Sequence, residues 1–598
     1  MCVGVIAAVC GILQPFGVDL SRWGSDGVPI SFFGNPNYTG GYMSMVVFLG
    51  IGLLLNSNTK RYIILIGISS LLMYSCLIIT KNRGGFLGLL IGLLIFTILN
   101  RTEIWKKRKV VSIYGLIIIL TTIGLCLHEK TSPLPKLTGT IRVVQSEGKK
   151  KIEAAGTFAS RIQIWKTTLR VIANNPLLGV GPDALRMAST KYEILEFVQS
   201  EGNYNTLIDR AHNEMLDIAA MRGLIGLAVY LWLLSVFFII TIRLWKRMVY
   251  PDKWLVSAGI VAIISYMVQN TVGFGVISTS SLFWILIGSI VGIGAKPMGY
   301  VFHTVNINRL VRISLLIASI LLCVIIIRYS LLAWIADVYY KNGLGLAQRQ
   351  DIDQAICMYE KALEYNPNEE GYYGELLTAY SNKSNGSREA LSMLIKRAED
   401  AVRVNPYHAY YYNILSSAYG ESYILYGDAF DRDKAIAACN RAIELKPVFG
   451  DPHNNLVAIY VHENKYKEAL QEIKKAIKIC PEHAEYWRIL GELQIQHGLK
   501  KNGLFSLEKA IRYNPTMVNV LVSLSRIYFE AGDLLKAEEK MKQAVLLVPD
   551  NPRYHRVLGS IYFKQGRFDK ATSEFTTALR LSPNDSYLKQ MLLSCQQK

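Results

Sequence analysis

The chain has 598 residues, of which 51% are hydrophobic and only 19% are charged, and its formal net charge is +19. This apolar excess excludes an ordinary soluble protein of this length. The basic residues of the first half occupy short clusters between apolar runs, so the positive charge indicates membrane topology and not nucleic-acid binding. The nine cysteines form no CxxC pair, and none lies between Glu129 and Arg222, so neither a zinc site nor a disulfide framework is indicated.

Eight apolar runs of roughly membrane-spanning length predict a polytopic bundle of transmembrane helices within residues 1–335. The runs are Gly41–Leu55, Tyr62–Thr80, Phe86–Leu99, Val110–Leu127, Gly223–Ile242, Trp254–Val272, Ser280–Gly294 and Ile313–Trp334. A ninth run, Met1–Leu13, is too short to cross about 30 Å of hydrocarbon and lacks the basic flank of a signal peptide. We interpret it as the end of a helix whose beginning is missing.

The basic clusters predict which loops are cytoplasmic. Three clusters are expected on that side: Arg101 with Lys106–Lys109, Arg243 with Lys246–Lys253, and Lys296 with Arg309 and Arg312. Counting spans from these clusters assigns four regions to the opposite, outer side: Gln14–Gly40, Lys81–Gly85, the large loop 128–222 and everything after Trp334. Lys81 and Arg83 are then outer cations that break the positive-inside pattern, and an anionic ligand is the simplest reason for them. The alternative is that two charges are too few to matter.

The second half of the chain, residues 336–598, is charged, rich in tyrosine and repetitive. Pro481, Pro515, Pro549 and Pro583 recur every 34 residues, and an alanine stands five positions before each of them. Earlier copies with longer intervals end at Pro367, Pro406 and Pro447. Each unit is predicted to be two helices and a turn limited by proline. The units resemble tetratricopeptide repeats, which stack into an α-solenoid whose concave face binds peptides or partner proteins.

Three outer-side groups form a set suited to phosphate chemistry, namely Arg83, Arg161 in the long loop and His212 at its end. Arginine guanidinium groups are permanently charged and match the oxygens of a pyrophosphate. Histidine titrates near neutral pH, so a neutral His212 can take a proton from an attacking hydroxyl. No acidic cluster suited to a metal stands beside them, and we predict neither a metal nor a cofactor, with the cations in the metal's role. The alternative for His212 is a helix cap or a loop hydrogen bond.

Five motifs in order resemble those of the O-antigen ligase and polymerase superfamily, over roughly Gln14–Gly294. They are Gly34–Asn37, Asn82–Leu87, Ser160–Lys166, Asn175–Gly181, and His212–Asn213 with Gly223–Leu227. Tetratricopeptide tails are a common appendage in this superfamily. The superfamily usually has Ser where Asn82 stands, often an acidic residue where Arg222 stands, and several more spans before the first motif.

The resemblance implies an all-α glycosyltransferase of the bacterial cell membrane that acts in polysaccharide biosynthesis for the cell envelope. Without a metal, it would transfer a glycan from an undecaprenyl-pyrophosphate carrier to an acceptor hydroxyl on the outer leaflet, with inversion. Arg83 and Arg161 would hold the pyrophosphate, and His212 would activate the hydroxyl. The predicted substrate-binding groups are asparagines: Asn35, Asn37 and Asn213. Helix capping and turn formation are the alternative roles for asparagine.

Two questions stay open at this stage. The motifs do not specify the acceptor, which is a lipid, a protein or another glycan, so ligase and polymerase are both compatible with them. The second interpretation is a catalytically inactive or truncated membrane anchor whose extracytoplasmic repeats form a scaffold for envelope assembly. A transporter ranks last because the spans carry no paired carboxylates. The enzyme interpretation predicts that Arg83, Arg161 and His212 face one cavity near the outer interface, whereas the scaffold interpretation predicts no such cavity.

Overall fold

The helices of the first half follow the apolar runs of the sequence. In the computed structural model, which describes residues 1–20, 29–128, 141–146, 149–154, 157–193, 195, 207–295, 308–383 and 387–597, the first half forms eleven α-helices, one short 3-10 helix at Gln14–Phe16 and one antiparallel hairpin. They are α1 Cys2–Leu13, α2 Pro36–Asn56, α3 Lys60–Ile79, α4 Arg83–Lys106, α5 Arg108–Leu127, β1 Ile141–Ser146, β2 Lys149–Ala154, α6 Thr157–Asn174, α7 Leu185–Thr190, α8 Glu214–Arg247, α9 Lys253–Gln269, α10 Ile277–Ala295 and α11 Arg309–Gln348.

Each of the eight predicted spans falls within one of these helices or within about three residues of its end, although α8 and α11 extend well beyond their apolar runs, and the predicted helical class is confirmed. Seven of the described helices are long and apolar enough to cross a membrane. The eighth, α9, is a shorter apolar helix, and Met1–Leu13 forms the short helix α1. The predicted loop 128–222 lies only partly within the described residues.

The chain divides into a membrane unit within residues 1–319 and a repeat unit within residues 320–598. This division falls inside the long helix α11. The boundary that the sequence suggests between residues 335 and 336 lies in the same helix and stays a prediction.

A row of glycines on α4 lets that helix pack directly against the backbone of α9. A side-chain Cβ at Gly88 would lie 2.4 Å from the carbonyl oxygen of Ser265, and one at Gly84 would lie 3.1 Å from the carbonyl oxygen of Gln269. Small residues spaced by four are the usual means by which membrane helices approach each other this closely. The contact sets Arg83, the first residue of α4, beside the last turn of α9.

The helix α8 is kinked at Gly223, where φ is 70° and ψ is 179°. Only glycine adopts this backbone region without strain, and a Cβ there would lie 1.9 Å from the carbonyl oxygen of Leu177. The kink frees carbonyl groups of the preceding turn, so that Val180 donates its N–H to the oxygen of Ala220 at 2.9 Å. Such hydrogen bonds hold the motif Asn175–Gly181 against the kink at Gly223.

The repeat unit consists of helices joined by short turns. After α11 these helices are α12 Ile352–Tyr365, α13 Glu370–Lys383, α14 Arg388–Val404, α15 Ala409–Tyr426, α16 Ala429–Leu445, α17 Asp451–His462, α18 Tyr466–Ile479, α19 Ala484–Gln496, α20 Lys500–Tyr513, α21 Val518–Glu530, α22 Leu534–Leu547, α23 Pro552–Lys564, α24 Phe568–Leu581 and α25 Ser586–Gln596. Neighbouring helices pair antiparallel across these turns, as the repeat pattern predicts.

The alanines of the repeat pattern are the tightest packing points of this unit. All seven are fully buried, at 0% exposure: Ala362, Ala401, Ala442, Ala476, Ala510, Ala544 and Ala578. The residue just before each proline donates the last helical hydrogen bond to the alanine carbonyl, for example Asn514 to Ala510 at 2.9 Å. Proline then ends the helix because it has no N–H to continue the pattern. The spacing of five residues between alanine and proline is therefore a helix-end signal.

Candidate functional site

Arg83 is held at the start of α4 by the asparagine before it. Asn82 caps the helix, with its side-chain oxygen accepting the N–H of Gly85 at 3.2 Å. The amide nitrogen of the same side chain donates to the carbonyl oxygen of Asn37 at 3.1 Å. One buried side chain therefore caps the start of α4 and connects it to the first turn of α2.

The Gly34–Asn37 motif builds the start of α2. Asn35 is the N-cap of this helix, and its side-chain oxygen accepts the N–H of Asn37 at 2.8 Å. The carbonyl oxygen of Asn37 also accepts the side-chain amide of Gln269 at 3.4 Å. The capping alternative thus describes the hydrogen bond of Asn35, although both asparagines also line the cavity described below.

His212 lies in the loop before α8, with a positive φ of 52°. The residue before it is clamped on both sides: the indole N–H of Trp165 donates to the carbonyl oxygen of Ala211 at 2.8 Å, and the N–H of Ala211 donates to Asp217 at 2.7 Å. Trp165 follows Arg161 by four residues on α6, so the two side chains share a face of that helix. The clamp therefore fixes His212 relative to the helix that carries Arg161.

Asn213 caps α8, with its side-chain oxygen accepting the N–H of Leu216 at 3.1 Å. Its amide nitrogen donates to the carbonyl oxygen of Thr271 at 3.0 Å, and the Glu214 carboxylate accepts the N–H of Gly275 at 2.7 Å. These bonds dock the start of α8 onto the loop that follows α9. Asn213 is not among the residues that line the cavity, so its contacts favour the capping alternative over substrate binding.

Arg83, Arg161 and His212 face one cavity of about 150 Å³. The convergence that the enzyme interpretation requires is therefore present in the fold. The remaining lining residues come from the starts of α2 and α4 and from the end of α9: Asn35, Asn37, Tyr38, Lys81, Asn82, Gly84, Gln269, Val272, Gly273 and Phe274. The chemical roles of the two arginines and the histidine stay predictions.

The electrostatics of the cavity are dominated by cations. Burial lowers the pKa of the Arg161 guanidinium, and the nearby charge of Arg83 lowers it further. Arg161 has no ion pair with an acidic side chain within the described part of the chain. Two cations held together in this way favour an anion between them.

The environment of His212 favours the neutral form of its imidazole. Burial lowers the pKa of His212 below its ordinary value of 6.5, the charge of Arg161 lowers it further, and the carboxylate of Asp209 acts in the opposite direction. A neutral imidazole at neutral pH has a lone pair that can accept a proton. Across the described residues, no group of three or more His, Cys, Asp or Glu side chains is arranged to hold a metal ion. The metal-independent chemistry stays a prediction.

Sequence reasoning missed part of the cavity wall. The ring of Phe274 packs against that of His212, with centroids 5.3 Å apart, and against that of Tyr38 at 5.6 Å. Gln269 reaches the cavity from the end of α9. For Gln269 and Phe274, the only signal in the sequence was the polar Gln-Asn-Thr end of an apolar span, which many membrane helices share. Tyr38, in contrast, directly follows the motif Gly34–Asn37.

Solved structures of tetratricopeptide repeat proteins are similar to part of the chain. YrrB, a TPR protein with an unusual peptide-binding site, is 18% identical, and the match covers 34% of this chain and 98% of that one with a TM-score of 0.27. PilF of Pseudomonas aeruginosa is 17% identical over 44% of this chain and 97% of that one, with a TM-score of 0.28. A tetratricopeptide repeat protein of Parabacteroides merdae is 14% identical over 44% of this chain and 99% of that one, with a TM-score of 0.30.

Models of protein families match both halves of the chain, although no curated protein matches it. The family described as O-Antigen ligase matches residues 68–231, a range that contains Arg83, Arg161 and His212. Two families described as Tetratricopeptide repeat match residues 451–483 and 522–586. Both resemblances predicted from the motifs are confirmed. The chain is a multi-pass membrane protein with a region, residues 68–231, that matches the O-antigen ligase family, and it carries tetratricopeptide repeats in its C-terminal half.

Proposed function

We propose that this protein transfers a glycan from an undecaprenyl-pyrophosphate carrier to an acceptor hydroxyl at the outer surface of a bacterial cell membrane. The observation that carries the proposal is the convergence of Arg83, Arg161 and His212 on one cavity. They come from three separate parts of the chain, a helix start, a loop helix and a second loop. Titratable groups with shifted pKa values that gather in one cavity are typical of functional sites, and this supports the proposal.

The arginine pair binds the pyrophosphate of the donor. Each guanidinium can form two parallel hydrogen bonds with phosphate oxygens, and the mutual repulsion of Arg83 and Arg161 is relieved when an anion lies between them. Lys81 adds a third cation to the same wall. Because the negative charge on the leaving pyrophosphate increases during the reaction, these cations stabilise the transition state more than the bound donor.

His212 removes the proton from the acceptor hydroxyl. The acceptor oxygen attacks the anomeric carbon of the donor sugar on the face opposite the pyrophosphate, so the new C–O bond forms with inversion. The bond from that carbon to the pyrophosphate oxygen breaks, and its electron pair leaves with the pyrophosphate. The proton stays on the imidazole of His212 until it passes to solvent or to the departing phosphate.

The asparagines of the motifs and the repeat unit also have roles in this proposal. Asn35 and Asn37 offer amide groups to the donor sugar at the cavity wall, and Asn213 positions the loop of His212.

The repeat unit lies outside the cell membrane and recruits an acceptor-bearing or assembly partner. A groove lined by Arg526, Phe529 and other residues of α21, α23 and α25 provides it with a surface for such a partner.

The test separates donor binding from chemistry. Wild-type protein, His212→Gln and Arg161→Gln are compared in membranes for glycan transfer and, after purification, for binding of undecaprenyl pyrophosphate. We expect His212→Gln to lose transfer by about a hundredfold or more while it retains binding. Arg161→Gln is expected to lose both. The control is Arg170→Gln, which removes an exposed arginine from the same helix α6 and is expected to change neither.

The scaffold interpretation makes the opposite prediction. If His212→Gln and Arg161→Gln support envelope polysaccharide assembly as well as the unmutated chain, the cavity has no catalytic role and the transferase proposal is wrong. If His212→Gln loses undecaprenyl-pyrophosphate binding as well as transfer, the proposed separation of roles is wrong, in which His212 removes the proton and the arginines bind the pyrophosphate.

A further inference from the structure

A second cavity of about 300 Å³ lies next to the first in the membrane unit. The two cavities share one wall residue, Phe274. The ring of Phe274 packs against His212 in one direction, and the guanidinium of Arg210 lies 5.7 Å from the centre of the same ring. An object in the second cavity is therefore close to the imidazole that takes a proton in the proposed mechanism.

The charged side chains of this second cavity differ in how fully their hydrogen-bonding atoms are paired. Arg210 forms an ion pair with Asp183, and the Glu214 carboxylate accepts the N–H of Gly275. Asp217 is only 6% exposed and uses one carboxylate oxygen to accept the N–H of Ala211. Its other oxygen, Oδ2, is buried and has no hydrogen-bond partner among the residues that the structure describes. Such an acceptor is costly to leave unpaired unless a ligand supplies the donor.

Arg222 is the cation of this cavity that is not committed to an ion pair, although its charge also acts on the Glu214 carboxylate in the same wall. It lines the same cavity, is exposed, and forms no hydrogen bond or ion pair with any described residue. It stands one position before the Gly223 kink, so the backbone that carries it is fixed by the motif Asn175–Gly181. An arginine on a fixed backbone can bind a carboxylate through two parallel hydrogen bonds.

The other end of the cavity is aromatic. Tyr230 and Trp284 lie further along α8 and α10, with ring centroids 6.4 Å apart and planes at 81°. Aromatic rings with a polar edge pack well against ligands that combine C–H surfaces with hydroxyl groups. The cavity thus offers a guanidinium without an ion pair, a buried carboxylate oxygen without a hydrogen-bond partner among the described residues, and an aromatic wall, which together match a sugar that carries an acid group.

We propose that the second cavity binds the acceptor and selects an acidic sugar, a uronic acid, as its reacting unit. Arg222 binds the sugar carboxylate, Asp217 accepts a hydrogen bond from a sugar hydroxyl, and Tyr230 and Trp284 pack against the ring. The free hydroxyl that reacts is then directed past Phe274 towards His212. That the bound sugar belongs to the acceptor rests on the proposed function. The binding of an acidic sugar can be measured without any transfer.

The test is a binding measurement on the purified full chain in lipid nanodiscs. The probes are a trisaccharide of glucuronic acid and the neutral glucose trisaccharide of the same linkage. We expect Arg222→Gln to bind the acidic probe about tenfold more weakly than the wild type, which corresponds to loss of one charge-assisted contact. Arg222→Lys is expected to fall between the two, because it keeps the charge without the fork. The neutral probe should bind equally to all three.

Two controls separate this proposal from the proposed function. Arg247→Gln removes an exposed arginine from the other end of α8 and is expected to bind the acidic probe like the wild type. His212→Gln is expected to bind it as well, so a failure of the transfer experiment leaves this result intact. The proposal is overturned if the acidic probe does not bind, if Arg222→Gln binds it normally, or if undecaprenyl pyrophosphate displaces it.

Discussion

Replacement of Gly223 by alanine tests how the kink positions the site. An L-amino acid in the backbone region of Gly223 costs about 1–3 kcal/mol. The added Cβ would also lie 1.9 Å from the carbonyl oxygen of Leu177, which has to move away. That movement breaks the bonds from Leu224 to Pro176 at 2.7 Å and from Ile225 to Leu177 at 3.4 Å, each worth about 1 kcal/mol. We expect a local destabilisation of about 3–5 kcal/mol in total.

Hydrogen exchange of backbone amides measures this local loss directly. Amides of Asn175–Gly181 and of the turn around the kink are expected to exchange about a hundredfold faster or more in Gly223→Ala. Glycan transfer should fall with it, because the kink joins the loop of His212 to the end of the helix that carries Arg161. The control is Gly288→Ala in α10, where an added Cβ meets no atom within 4 Å. Equal exchange in the two variants would refute the account of the kink.

Three other predictions concern charge and packing. Under the proposed mechanism His212 acts in its neutral form, so kcat/KM is expected to rise with pH through a pKa below 6.5 and to stay constant above it. Asp209→Asn removes the charge that raises the pKa of His212, so its acid limb should move to lower pH, and a shift to higher pH would contradict this. In the repeat unit, Ala544→Leu overfills a fully buried position and should cost about 1–3 kcal/mol. The measurement is the midpoint of thermal unfolding, and the control is Ala531→Leu, at an exposed position of the same unit. Equal midpoints in the two variants would contradict the packing role of Ala544.

Much of the architecture follows from short-range patterns. Apolar runs of spanning length become helices because the membrane interior requires every backbone polar group to be paired within the helix. The repeats are equally readable, because Ala544 and its equivalents occupy the closest contact between helices and the proline five residues later ends each unit. In both cases a single local requirement decides the residue type.

The site was predictable only in part, for a physical reason. Arg83, Arg161 and His212 stand out because they resemble family motifs, and their convergence is a property of the fold that no spacing reveals. Gln269 and Phe274 reach the cavity because α9 packs on the glycine face of α4, a contact between helices far apart in sequence. Residues placed by such long-range packing leave no local pattern, and the second cavity was missed for the same reason.

The helices that begin at the first cavity are capped by asparagine and not by aspartate. Asn35 and Asn82, which line this cavity, cap α2 and α4, and aspartate caps a helix as well as asparagine does. Under the proposed function, a carboxylate at the cavity would repel the pyrophosphate of the donor, whereas neutral amides leave the positive helix ends and the arginines to attract it. Asn35→Asp should therefore keep its cap and bind undecaprenyl pyrophosphate about tenfold more weakly at low salt. Asn551→Asp is the matched control, because Asn551 also caps a helix that begins with proline, but in the repeat unit. Undiminished binding in Asn35→Asp would show that the cavity does not receive an anion.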